Sequence, residues 1–211
     1  MTKQLLTIIV VLLFLACGPS VKTTSTWVNK NNVSLINRHY KIILIAVITS
    51  KIEVRTKLEN ELAIAAKKHG YIAIKSIDKF PPLASGKQPT QEEIFGIVTK
   101  VHADAIFTTA LVDKTSETRY VPGTTTYTPS VNSGFRDYYG TAWIYYAPNY
   151  YTVDKTYFYE SSLFDAVTEK LIWSAQSEIY NPTNIEKTSQ KYTELMITKM
   201  EKDGILKPTP D

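Results

Sequence analysis

Apolar positions along the 211-residue chain fall into runs and stripes that mark out its elements. Residues 5–16 are almost wholly apolar, follow Lys3 and end on the small residue Ala16. They have the charge, length and ending of a cleaved export signal, because a membrane-spanning helix needs roughly 18 or more apolar residues. Residues 18–37 are polar and rich in Ser, Thr and Asn with no sustained apolar period, and read as a flexible tether. Ile42-Ile-Leu-Ile-Ala-Val-Ile48 is a continuous apolar run, the pattern of a strand buried on both faces. Residues 52–69 carry Leu58, Leu62, Ala65 and Ala66 on one stripe, with Arg55, Glu59 and Lys67 placed off it, and end in Lys67-Lys68-His69-Gly70. That is an amphipathic helix with cations at its negative end and a glycine for the left-handed cap.

Residues 71–77 predict a second strand, joined to the first by a parallel crossover. Pro81, Pro82 and Pro89 mark a loop, and Thr90-Gln-Glu-Glu93 is a capping box opening a helix to about Val101. Residues 105–112 predict a third strand, and 156–164 with 171–179 an antiparallel hairpin turning around 165–170. Thr183 and Glu186 suggest another capping box, starting a helix that carries Ile185, Leu195, Met196 and Met200 and stops near Gly204. The fold class is therefore α/β (α+β): a mixed sheet with helices packed against it, in the order β-α-β-α-β, a long insertion, β-β-α. The strand at 42–48 is expected at the centre, the hairpin to extend the sheet, and Trp173 to be buried, alternating with Leu171 on one strand face.

Cys17 changes this picture most. It is the chain's single cysteine and stands directly after the apolar run, in Leu13-Phe14-Leu15-Ala16-Cys17. A disulfide protein in an oxidising compartment would carry an even set. The arrangement resembles the signal of bacterial lipoproteins, which implies cleavage before Cys17 and its acylation. Each buried acyl methylene contributes roughly 0.8 kcal/mol, so two or three chains hold a domain at a bilayer almost permanently. The chain then divides into a signal peptide (1–16), a lipidated flexible tether (17–37), one α/β domain (38–206) with an insertion at 116–154, and a tail (207–211). Gly18, rather than a retaining Asp, follows the cysteine, which implies the outer membrane of a cell envelope.

Composition excludes some partners. Loss of residues 1–16 removes only Lys3 from the formal charge, taking +4 to +3 over scattered basic residues. That is too weak a balance for nucleic acid, whose binders concentrate Lys and Arg on one face.

Further phrases carry a second resemblance. Trp27, Arg55, Glu59, His69-Gly70, Ala103-Asp104-Ala105 and Leu163-Phe-Asp165 with Thr168 and Lys170-Leu-Ile-Trp173-Ser174 together resemble envelope lipoproteins whose domain is similar to the amino-terminal domain of TolB and to the core of the curli secretion lipoprotein CsgG. The resemblance implies a fold and an address but no catalytic activity. Asp165 and Thr168 also suit a turn that bonds its own backbone.

No catalytic constellation stands out. Of the three histidines, His39 precedes the first strand of the domain, while His69 and His102 fall at predicted helix ends, where capping is the expected role. They do not stand at metal spacing, and no Gly-rich phosphate loop accompanies them. Neither an enzyme nor a cofactor nor a metal is expected.

The insertion is the departure from a minimal domain. Between Tyr120 and Tyr151 lie eight Tyr, Trp143 and Phe135, and the only charges are Arg136 and Asp137. A solvating linker is poor in aromatics, whereas Tyr and Trp give interfaces and membrane-surface belts large amphipathic area. The rings either fold back over the sheet, or bind a protein or further copies of the chain, or lie at the membrane surface. The expected interaction residues are Tyr127, Tyr138, Tyr139, Trp143, Tyr145, Tyr146, Tyr150 and Tyr151. The function class is a non-catalytic envelope component that binds or scaffolds, its partners being the bilayer through Cys17 and an envelope protein or itself. The alternative is an oligomeric secretion-accessory or pore-forming lipoprotein.

Overall fold

The computed structural model describes residues 20–80, 90–116, 134–137 and 155–207. Six strands form one mixed sheet: β1 (Ser20–Val28), β2 (Ile42–Ile48), β3 (Ile72–Lys75), β4 (Ala105–Ser116), β5 (Lys155–Asp165) and β6 (Leu171–Tyr180), in the spatial order β1-β6-β5-β4-β2-β3. β2 pairs in parallel with both β3 and β4, and the remaining pairs are antiparallel. The helices are a single turn α1 (Val33–Ile36), α2 (Ile52–Lys68), α3 (Gln91–Lys100) and α4 (Ile185–Lys202). The mixed α+β class is present, and from β2 onward so is the element order expected from the pattern.

Helices cover the two faces unequally. α2 and α4 pack with Ile43, Ile45, Val47, Phe107, Leu163 and Trp173 on one face. α3 meets Leu44, Ile48, Ile106, Phe164 and Leu171 on the other through Ile94 and Val98. α3 opens with the expected capping box, in which the Glu93 amide donates to the Thr90 hydroxyl and the Thr90 amide to the Glu93 carboxylate. α2 ends on a His69 cap followed by Gly70 at φ 81°, a left-handed position that glycine takes without strain. Trp173 is fully buried and donates from Nε1 to Asp203 Oδ2 at 2.8 Å.

Four expectations about strands and caps need correction. Residues 20–28, placed in the tether, form β1 along the free side of β6. An extra residue, Thr24, bulges out of the pairing, so Val21 and Val28 reach the same core although their spacing is odd, and the period-two signal is hidden. β2 lies one strand from the sheet edge and not at its centre, because β5, β6 and β1 all add beyond β4. The register shift between Leu163 and Phe164 sends Leu171 and Trp173 to opposite faces. α4 is capped by Asn184, whose side chain accepts from the Lys187 amide, one residue after the expected Thr183.

Two carboxylates lock the sheet to its connections. Glu59, expected off the apolar stripe of α2, is fully buried. Its Oε1 accepts from the Val47 amide (3.1 Å), the Ser76 hydroxyl (2.6 Å) and Arg55 Nε (3.2 Å), and its Oε2 from the Ile77 amide (2.8 Å). Position 59 is one turn from Leu62 and two from Ala66, so helical geometry places it inward. Asp165 organises the β5–β6 turn by accepting from the Thr168 amide (2.7 Å) and hydroxyl (2.8 Å), as its sequence suggests, and also from Arg38 (2.6 Å) and Tyr40 (3.3 Å). Burial would raise the Asp165 pKa, but the bonds from Thr168 and Arg38 and the Arg38 charge prevail and hold it below the usual carboxylate value.

Candidate binding cleft at the end of the sheet

β4 and β5 stay paired to their outer ends, past a bulge between Leu111 and Asp113, where Ser116 is the partner of Lys155. The Tyr-rich insertion therefore leaves and rejoins the sheet at adjacent backbone positions. The expected interaction residues Tyr127, Tyr138, Tyr139, Trp143, Tyr145, Tyr146, Tyr150 and Tyr151 lie outside the described residues, as does Cys17. One short piece of the insertion is described, and it is docked on the α3 face. Phe135 is buried with its ring edge-on to Phe164 at 5.7 Å, its amide donates to the Glu169 carbonyl, and the Arg136 guanidinium lies 4.2 Å from the Phe95 ring centroid. For Phe135, folding back onto the sheet is the arrangement observed.

At this same end of the sheet, on the face of α2 and α4, a cleft of about 360 Å³ opens. Strand alternation builds its floor, because Tyr157 and Tyr159 point to one side of β5. Leu111 of β4, Ile179 of β6, and Val54 and Leu58 of α2 supply apolar walls, and Thr183, Ile185 and Ser189 line it at the start of α4. Tyr159 and Tyr192 meet edge to face at 5.9 Å. The Tyr192 hydroxyl lies 2.6 Å from Thr109 Oγ1 and also contacts Ser161 Oγ. Burial raises the Tyr192 pKa against the opposing hydrogen bonds of Ser161, Thr109 and Ser177, so the phenol stays protonated at neutral pH.

Lysines border the cleft. Lys51 lines it, and the Lys114 ammonium sits 5.6 Å from the Tyr157 ring centroid. Lys155 precedes Tyr157 by two residues on the same side of β5, diagonal to Lys114 across the β4–β5 pair. Burial first, and then the positive charges of Lys155 and Lys51, lower the Lys114 pKa. The sequence gives no hint of this cluster, because its members stand far apart in the chain and meet only through the sheet.

On the opposite face Glu160 is a second polar feature that sequence reasoning missed. It is 1 % exposed, flanked across the strands by Ala110 and Gln176. Oε1 accepts from the Ser162 hydroxyl at 3.3 Å, and Oε2 has no hydrogen-bond partner among the described residues. Burial pushes its pKa up to about 8, with the Ser162 bond opposing only in part. Strict alternation along β5 places it inward, and a lone Glu between Tyr159 and Ser161 in a strand is the only available signal.

The histidines do not meet. His39 is exposed ahead of β2, His69 caps α2 with Nδ1 3.0 Å from Glu201 Oε1, and His102 follows α3 at φ 53°. Among the described residues no cluster of His, Cys, Asp or Glu is arranged to hold a metal ion, and no helix is long and apolar enough to cross a membrane.

No protein-family model and no curated protein sequence matches the chain. Among solved structures it is similar to the PelC dodecamer from Paraburkholderia phytofirmans, at 11% identity over 84% of this chain and 95% of that one with a TM-score of 0.42. It is also similar to lipoprotein GNA1162 from Neisseria meningitidis, at 11% identity over 77% of this chain and 96% of that one with a TM-score of 0.37.

Proposed function

We propose that this chain is a lipid-anchored, non-catalytic component of a bacterial cell envelope, held at the outer membrane through acylated Cys17, that binds a partner protein or further copies of itself through its Tyr-rich insertion. The observation that supports this reading most is the Ser116–Lys155 register. It carries a long aromatic segment out from, and back to, one rigid end of the sheet. Connections in compact domains usually run about 4–6 residues, and far longer ones are commonly functional. The TolB- and CsgG-like resemblance of the sequence adds a secretion-accessory role as the oligomeric form of the same reading.

The anchor is tested by globomycin, which should cause the unprocessed chain to accumulate, and by Cys17→Ala, which should release the protein from membranes. Unchanged fractionation in both overturns it. Recognition is tested by changing the eight aromatic residues from Tyr127 to Tyr151 named above to Ser, while keeping Gly134–Asp137. The variant should fold with a buried Trp173 fluorescence spectrum and lose its crosslinks to envelope proteins in intact cells. Folding with every crosslink retained places recognition elsewhere, and unfolding assigns the rings to the core. Light scattering separates a ring-forming assembly from a monomeric binding module.

A further inference from the structure

A cleft lies at the end of the sheet where the insertion leaves and rejoins it, lined by residues of β4, β5, β6, α2 and α4. Its size lies at the lower end of the roughly 300–1,000 Å³ typical of small-ligand sites, and its walls are mainly apolar with a few hydroxyls. Among the described residues no Asp or Glu lines it. Its rim gathers Lys51, Lys114 and Lys155, and no ion pair joins any of the three to an acid among the described residues. Three described carboxylates nearby are otherwise placed. Glu186 pairs with Lys57, Asp113 is in register with Phe158 on the other face, and Glu53 sits in the first turn of α2, where it complements the helix N-terminus.

An apolar trough edged by mutually repelling cations favours a guest that buries hydrocarbon and brings a negative charge to its end. We propose that this cleft binds an anionic amphiphile, a single acyl chain with an acidic head group, the chain lying on Tyr157, Tyr159 and Leu58 and the head group held by Lys51, Lys114 and Lys155. The Lys114 contact with the Tyr157 ring keeps that ammonium at the mouth, where an anion relieves the repulsion among the three. The hydroxyls of Thr183 and Ser189 border the same space and offer donors to head-group oxygens.

The test uses the full mature chain with Cys17→Ala, purified without detergent, and titration calorimetry below micelle-forming concentrations. The probes share one dodecyl chain: dodecanoate, dodecyl phosphate, dodecyl maltoside and dodecyltrimethylammonium. The two anions should bind saturably at one site. The maltoside should bind about tenfold more weakly, since surface ion pairs each contribute little and three together are needed for that factor. The cation should bind more weakly still. A preference between dodecanoate and dodecyl phosphate assigns a carboxylate or a phosphate head. Lys51→Gln with Lys114→Gln and Lys155→Gln should bring the anions down to the maltoside affinity, and Ile185→Trp, which fills the cleft, should weaken all four probes. Circular dichroism and cooperative thermal unfolding verify that each variant is folded. Equal affinity for anion and maltoside, unchanged anion binding in the triple variant, or no saturable binding in the folded parent overturns the proposal.

Discussion

Glu59 and Glu160 are both buried glutamates of the same domain, and they are treated in opposite ways. Glu59 collects four donors across α2, β2 and the turn after β3, one of them the guanidinium of Arg55. Glu160 has a single long bond from Ser162 and one oxygen with no partner among the described residues. A buried charge is tolerated when donors replace the lost water, and is otherwise expelled by protonation. The first glutamate therefore works as a hydrogen-bonded clamp between elements, and the second as a neutral acid at pH 7.

The comparison breaks most readily at Glu59. Glu59→Ala leaves the Val47 and Ile77 amides and Arg55 without their acceptor and should lower unfolding free energy by about 3–5 kcal/mol, read from urea denaturation. A loss below about 1 kcal/mol would mean that the donors find water instead, and the contrast with Glu160 would vanish.

Glu160 should reveal itself through pH. Its folded pKa of about 8 stands above the ordinary glutamate value of 4.5, so the folded state binds the proton more tightly than the unfolded one. Stability from this group is complete below pH 4.5, falls as pH rises toward 8, and is fully lost above that. Across that window the loss should be on the order of a few kcal/mol. Glu160→Gln should flatten this slope, leaving stability near pH 5 almost unchanged and raising it above pH 8. An identical pH profile in the two proteins would refute the assignment.

Smaller effects calibrate the contrast. Tyr192→Phe removes one hydroxyl from a trio whose other members stay 3.3 Å apart, Ser161 to Thr109, so the cost should be about 1–1.5 kcal/mol. Asn184→Ala removes an exposed cap from α4 and should cost about 1 kcal/mol or less. Were the exposed cap to cost more than the buried phenol, burial would not be what sets the value of a polar group here.

What the sequence discloses follows from range. The unbroken apolar run at 42–48 and the Thr90–Glu93 box act within a few residues, and both stand where the pattern puts them. β1 escapes notice because an edge strand needs few apolar residues and the Thr24 bulge breaks its alternation. Glu59 reads as a solvated helix position, since three of its four donors come from residues 12 to 18 positions away. The lysine rim and the Tyr192 trio unite residues from separate elements, so no local period records them.

The register of β1 has a mechanical consequence. Ser20 pairs with Tyr180, which itself faces Thr156, so the chain enters the sheet at the cleft end. From Cys17 to Ser20 there are three Cα–Cα steps, a leash of at most roughly 11 Å. Acyl chains on Cys17 would hold the domain close against the lipid head groups with this end turned toward them. Lys51, Lys114 and Lys155 would then stand within a few Debye lengths, about 8 Å each, of an anionic leaflet, and orientation at the surface would be set by a strand register.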